Sequence, residues 1–170
     1  EFPYDASKAC ADMIAKVFTN AIYNLPIVIT RFSNIYGPGQ LNFSAIIPDA
    51  IKSALGYSTF IPRSDGSMIR DFIFIDDVIN LYVNIAETLS NNVEDIRGEV
   101  FNAGTKKPIS VRDLLKKIYT IIDNKKDYAN LEILMENKTA IGEIDCQFMD
   151  YVKVNKFFNW SPKINVNEGL

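Results

Sequence analysis

Apolar positions along the chain switch repeatedly between a helical and a strand period, which predicts an α/β fold. Cys10, Met13, Ile14, Val17, Phe18 and Ala21 form one stripe, so residues 4–24 read as a helix that stops before Pro26. The unbroken run Ile27–Phe32 has the composition of a buried parallel strand, and Asn34–Asn42, with Gly37-Pro38-Gly39, reads as a loop. A helix is predicted over 44–55, a short strand over 58–62 and a turn at Ser64-Asp65-Gly66. Residues 70–75 read as a strand, and Asp76 or Asp77 can cap a helix running to about Leu89. A polar loop over 91–95 leads to a strand over 98–103. Ser110 and Asp113 have the spacing of a capping box ahead of a helix over 111–123. A strand near 131–135, an extended piece at 144–149 and a helix over 151–158 follow. Val166–Leu170 reads as a helix just beginning. No internal repeat or low-complexity tract interrupts this order.

Composition narrows the class. With 170 residues, 48% of them hydrophobic, the chain can bury a real core. Its net charge of −3 argues against a nucleic-acid partner. No apolar run reaches the length of a membrane span, so no membrane partner is expected and a cytoplasmic protein is the default. Cys10 and Cys146 are far apart and are expected as two buried free thiols. The absence of histidine removes a Ser-His-Asp triad, a Cys-His pair and a His-based zinc site, and no metal site is expected. The abrupt start at Glu1-Phe2-Pro3 and the incipient helix at the end are expected of a piece of a longer chain.

Acid–base chemistry must then come from Tyr, Lys, Asp, Glu or Cys. Tyr4 and Lys8 stand four residues apart on a predicted helix and so share one face, continued by the small residues Ala11 and Ala15. A tyrosine ordinarily ionises near ~10, and an adjacent ammonium favours the phenolate. Such a pair can move a proton on a hydroxyl substrate, while the lysine donates to a cofactor ribose. The spacing alone is common, and an ordinary surface pair gives it equally well.

Its surroundings are less common. Pro3-Tyr4-Asp5-Ala6-Ser7-Lys8 resembles the active-site segment of the extended short-chain dehydrogenases/reductases, the NAD-dependent epimerase/dehydratase family. Thr30–Gly39 resembles that family's strand and post-strand loop, and Ser64–Ile73 its phosphate-binding arginine segment. Val100–Gly104 resembles its next strand end, and Asp150, Lys153, Asn159-Trp160, Pro162 and Glu168-Gly169-Leu170 its closing pattern. The blocks follow family order over nearly the whole chain.

The resemblance implies NAD as cofactor and a nucleotide-sugar as substrate. Tyr4 and Lys8 are then catalytic and cofactor-binding, and Phe32 lies beside the nicotinamide. Asn34 and Arg70 hold the substrate diphosphate, Asn42 and Phe43 lie near the base, and Glu143 meets the ribose hydroxyls. Each has a plainer reading: core packing for Phe32, a self-bonded loop amide for Asn34, a local ion pair with Asp71 or Asp76 for Arg70, and a solvated acid for Glu143. Phe72 stands where relatives often carry Tyr.

The implied architecture is the second half of a Rossmann-type parallel sheet with a smaller α+β substrate-binding lobe. Residues 1–42 and 71–102 belong to the former, 43–70 and 103–170 to the latter. The runs Leu41-Asn42-Phe43, Ile46-Ile47-Pro48 and Arg63-Ser64-Asp65-Gly66 look most like CDP-glucose 4,6-dehydratases. A 4-epimerase and a non-catalytic dinucleotide-binding sensor are the alternatives. The chain has no G-x-G-x-x-G, so NAD rests on the resemblance and these residues alone should be inactive. The family often dimerises through the helix bearing the tyrosine. The Met13/Val17/Phe18 stripe could serve a homodimer, but covering the sheet is its simpler use.

Overall fold

The computed structural model describes residues 3–136, 138–139 and 142–170. Its order is α1 (Pro3–Phe18), β1 (Ile29–Phe32), β2 (Asn34–Tyr36), α2 (Ile46–Ala54), β3 (Ile69–Arg70), β4 (Phe72–Phe74), α3 (Ile75–Asn91) and α4 (Val93–Ile96). Then come β5 (Val100–Ala103), β6 (Ile109–Ser110), α5 (Val111–Ile121), α6 (Lys125–Glu136), β7 (Cys146–Gln147), α7 (Val152–Phe158) and α8 (Val166–Gly169).

Among the described residues the strands form three small sheets. β1 pairs in parallel with β5, Ile29 opposite Val100 and Phe32 opposite Ala103. β2 pairs in parallel with β4, Asn34 opposite Phe72 and Tyr36 opposite Phe74. β3 lies between antiparallel β6 and parallel β7, with Arg70 opposite Ile109 and Gln147. The parallel pairs are joined through helices, as parallel strands require.

Successive residues of β4 face opposite ways. Phe72 enters a core with Tyr36, Ile47, Leu114, Leu115, Ile118 and Tyr128, under α2, α5 and α6. Ile73 enters a second core with Leu81, Ile85, Phe101, Val154 and Trp160, under α3 and α7. One strand thus separates two packed layers, and Asn34 and Arg70 lie beside it.

Several expectations are corrected. α1 ends at Phe18, because the Asn20 side chain accepts the N–H groups of Ile22 (3.0 Å) and Tyr23 (3.3 Å) and turns the chain. Residues 34–36, expected as loop, form β2, and 58–62 form no strand. The segment around 131–135 is helix α6, with Tyr128, Leu131 and Met135 on its buried side. Of residues 91–95, expected as loop, Asn91 closes α3 and 93–95 lie in α4. Phe74 occupies the N-cap of α3 without a side-chain bond, and both aspartates fall inside the first turn. Cys10 and Cys146 are free but exposed, since α1 buries none of its residues and β7 turns both of its side chains outward.

Candidate active site

Helix α1 presents Tyr4 to solvent, 69% exposed. The Lys8 ammonium lies 5.3 Å from the centre of the Tyr4 ring, so one turn of helix brings the pair together. An Asp12–Arg31 ion pair ties this helix to β1. Ala11 and Ala15 continue the Tyr4–Lys8 face with small side chains. That open phenol and ammonium fit the nicotinamide-ribose end of a dinucleotide. A glycine-rich turn for its pyrophosphate is not among these residues.

Phe32, at the end of β1, is half-buried with its ring centre 5.4 Å from that of Tyr82. Asn34 begins β2 just beyond it. Both its backbone N–H and its Nδ2 donate to the Asp71 carbonyl, each at 3.0 Å.

Arg70 is well held. Nη1 donates to the carbonyls of Ile69 (2.9 Å) and Ile144 (2.7 Å), and Nη2 to Glu143 Oε2 at 3.2 Å. The guanidinium side chain is 15% exposed and the Glu143 side chain 50%, so the pair sits at a surface. Two residues expected on the same ligand, 73 positions apart, are therefore in contact. Asn42 is occupied locally, its Oδ1 accepting from the Ser44 N–H at 3.2 Å. Phe43 is exposed, with the Lys52 ammonium 5.7 Å from its ring centre.

A cavity of about 580 Å³ is lined by Asn34, Gly37, Phe43, Ile47 and Lys52. A second, of about 450 Å³, is lined by Lys107, Lys117, Tyr151 and Lys163. Neither is lined by Tyr4, Lys8, Arg70 or Glu143. Tyr4, Lys8 and Glu143 stand on open faces, whereas Arg70 is half-buried.

Asp71 is a residue that sequence reasoning treated only as a neighbour of Arg70. It is fully buried. Its carboxylate accepts from the Thr105 N–H (2.9 Å), the Thr105 hydroxyl and the Met149 N–H (3.3 Å). Nearby, Asp150 has its carboxyl held below the usual range, first by the Val152 N–H and then by Lys106.

Parallel strand pairs joined through helices, a helix that exposes Tyr-x-x-x-Lys and an arginine held in the adjoining strand β3 match the class of extended short-chain dehydrogenases/reductases. The chain belongs to the NAD dependent epimerase/dehydratase family, whose model matches residues 1–104. It is 32% identical over 168 residues to the trifunctional UDP-glucose 4,6-dehydratase/UDP-4-keto-6-deoxy-D-glucose 3,5-epimerase/UDP-4-keto-L-rhamnose reductase of Arabidopsis thaliana, covering 99% of this chain and 23% of that protein. The dTDP-glucose 4,6-dehydratase of Bacillus anthracis, solved with NAD, superposes with a TM-score of 0.77 at 26% identity, over 99% of this chain and 50% of that one. The UDP-glucuronic acid 4-epimerase of Bacillus cereus, solved with UDP-glucuronic acid and NAD, gives 0.78 at 26% identity, over 98% and 49%. The chain thus spans half or less of the length of these relatives.

Proposed function

We propose that this chain carries the proton-transfer pair and the diphosphate-binding residues of an NAD-dependent nucleotide-sugar 4,6-dehydratase similar to CDP-glucose 4,6-dehydratases. The observation that carries the reading is the exposed Tyr4 with the Lys8 ammonium over its ring, in a chain of this family.

Bound NAD⁺ supplies the acceptor, and later the donor, of the hydride at the sugar. Tyr4, as the phenolate, takes the proton from O4 of the hexose as C4 is oxidised. Lys8 stabilises that phenolate by its charge and donates to the cofactor ribose. The resulting C4 ketone acidifies the C5 hydrogen; loss of that proton with the C6 hydroxyl eliminates water, and return of the hydride to C6 with a proton to C5 gives the 4-keto-6-deoxy sugar. Arg70 and Asn34 hold the diphosphate, Glu143 accepts from the ribose diol, and Asn42 and Phe43 approach the base. Phe32 packs beside the nicotinamide. Residues 1–42 and 71–102 serve the cofactor side and 43–70 and 103–170 the substrate side. The 170 residues alone give no turnover.

A 4-epimerase is the second reading, favoured by the likeness to the Bacillus cereus enzyme. It shares the first step and returns hydride to the opposite face of C4. Product analysis on the full-length protein separates the two, a 4-keto-6-deoxy sugar against a C4 epimer. Tyr4→Phe should lower kcat by about 10²–10⁴-fold with the fold retained. Undiminished turnover would remove Tyr4 from the mechanism.

A further inference from the structure

The three segments expected to hold the diphosphate and the ribose meet at one peptide. Asn34 of β2 donates twice to the Asp71 carbonyl. Arg70, the preceding residue, holds the carbonyl of Ile144 and the carboxylate of Glu143. The Asp71 carboxylate takes the amide of Met149, at the far side of β7 from Ile144. Adjacent side chains thus grip the two ends of one six-residue stretch.

A buried carboxylate is costly unless its oxygens are satisfied. Among the described residues no Lys or Arg forms an ion pair with Asp71; two amides and the Thr105 hydroxyl serve it. That hydroxyl also accepts from the Lys107 N–H at 3.1 Å, so the turn after β5 is part of the same network. Gly104 lies directly against it. A Cβ there would collide with Asp71 Oδ2 and stand 2.8 Å from the Met149 Cβ. A purely apolar residue at 71 would close the space but leave the amides of Thr105 and Met149 without an acceptor.

We infer that Asp71 is a positioning residue for substrate binding: by fixing Thr105 and Met149 to the Arg70–Asp71 peptide, it sets Asn34, Arg70 and Glu143 in the one arrangement that fits a nucleoside diphosphate. The role rests on the nucleotide-sugar reading above. Asp71 itself touches no ligand. It acts through the register of β7 against β3, which carries Glu143 past the guanidinium. Displacements on the order of 1 Å at such a constellation lower binding by factors of ten or more.

The test uses the full-length protein, with CDP, UDP and dTDP as probes for the diphosphate site and NAD⁺ as the control, titrated well below the melting temperature. Asp71→Asn should weaken the best-bound nucleoside diphosphate by about tenfold or more, with NAD⁺ affinity changed less than about twofold. Thr105→Val should do the same, and Thr105→Ser, which keeps the hydroxyl, should stay within about twofold of wild type. Should Asp71→Asn fail to fold, the Thr105 pair decides. Thr105→Val binding the diphosphate like wild type, or losing NAD⁺ in step with it, overturns the positioning role while the functional reading stands. A wild-type protein that binds none of the three probes overturns that reading, and this role with it.

Discussion

Tyr36 carries a hydroxyl that is buried without a protein partner among the described residues. Burial, then the nearby charges of Asp77 and Glu168, push its ionisation up to about 12, from ~10 for an ordinary tyrosine. A raised folded value contributes stability that is intact below about pH 10 and is lost as pH climbs through about 12. Tyr36→Phe removes the group, so urea midpoints should fall less between pH 9 and pH 11 than in wild type. At neutral pH the same change removes an unsatisfied group and should leave stability unchanged or raise it by up to about 1 kcal/mol. A loss of more than about 1 kcal/mol would show that the hydroxyl has a partner. At the site itself, Arg70→Ala should weaken nucleotide-sugar binding by at least about tenfold while NAD⁺ binding moves little, because charge-assisted bonds to phosphate are worth about 1.5–3 kcal/mol. Equal effects on both ligands, measured by calorimetry, would take Arg70 off the diphosphate.

At the level of elements, α5 shows how a local sequence signal becomes structure. The Ser110 hydroxyl accepts from the Asp113 N–H at 3.0 Å, as their three-residue spacing predicts. Ser110→Ala should lower unfolding stability by about 1 kcal/mol. Because Leu114, Leu115, Ile118 and Tyr119 are all buried on this helix, a calorimetric melt will register that change. The same locality explains which parts of the fold were legible. Helices α1, α2, α5 and α7 announce themselves through their own stripes, and strand β1 through its apolar run. The segment 131–135 misleads because Leu131-Glu132-Ile133-Leu134-Met135 is a short apolar run that either period can claim, whereas Tyr128, Leu131 and Met135 taken together show the helical stripe. Strand β2 was invisible for a different reason: three residues after Ser33 become a strand only because β4, 38 positions on, pairs with them. The site divides likewise. The Tyr4–Lys8 contact follows from helical spacing, but the contact between Arg70 and Glu143 spans 73 residues and is defined only by the fold; the resemblance implied no more than that both face one substrate. Asp71 was legible only as a neighbour of Arg70, since its partners, Thr105 and Met149, are defined only by the fold.

On the scale of the whole molecule, α1 raises a question of partnership. It is sixteen residues long and none of them is buried. At about 100° per residue, Met13 and Val17 lie about 180° and 220° round the helix from Tyr4. They expose 61% and 53% of their surface, and Ile14 beside them 58%. In the proposed function the face bearing Tyr4 and Lys8 stays open to cofactor and substrate, so an apolar stripe on the opposite side is free to bury itself elsewhere. A second copy of the full-length protein, meeting this one through the same stripe, would bury it without blocking the chemistry. In a two-fold dimer every substitution in that stripe acts twice. Each fully buried Val or Met contributes about 1.5–3 kcal/mol. Val17→Asp should therefore weaken dimerisation by at least about 100-fold, and Met13→Glu similarly, read by sedimentation as a shift to monomer at micromolar concentration. Tyr4-dependent turnover per folded protomer should persist if the stripe only joins copies. A dimer that survives both substitutions would mean that the stripe is covered within one chain, by parts of the protein outside these residues, and the two-fold contact would have to lie elsewhere.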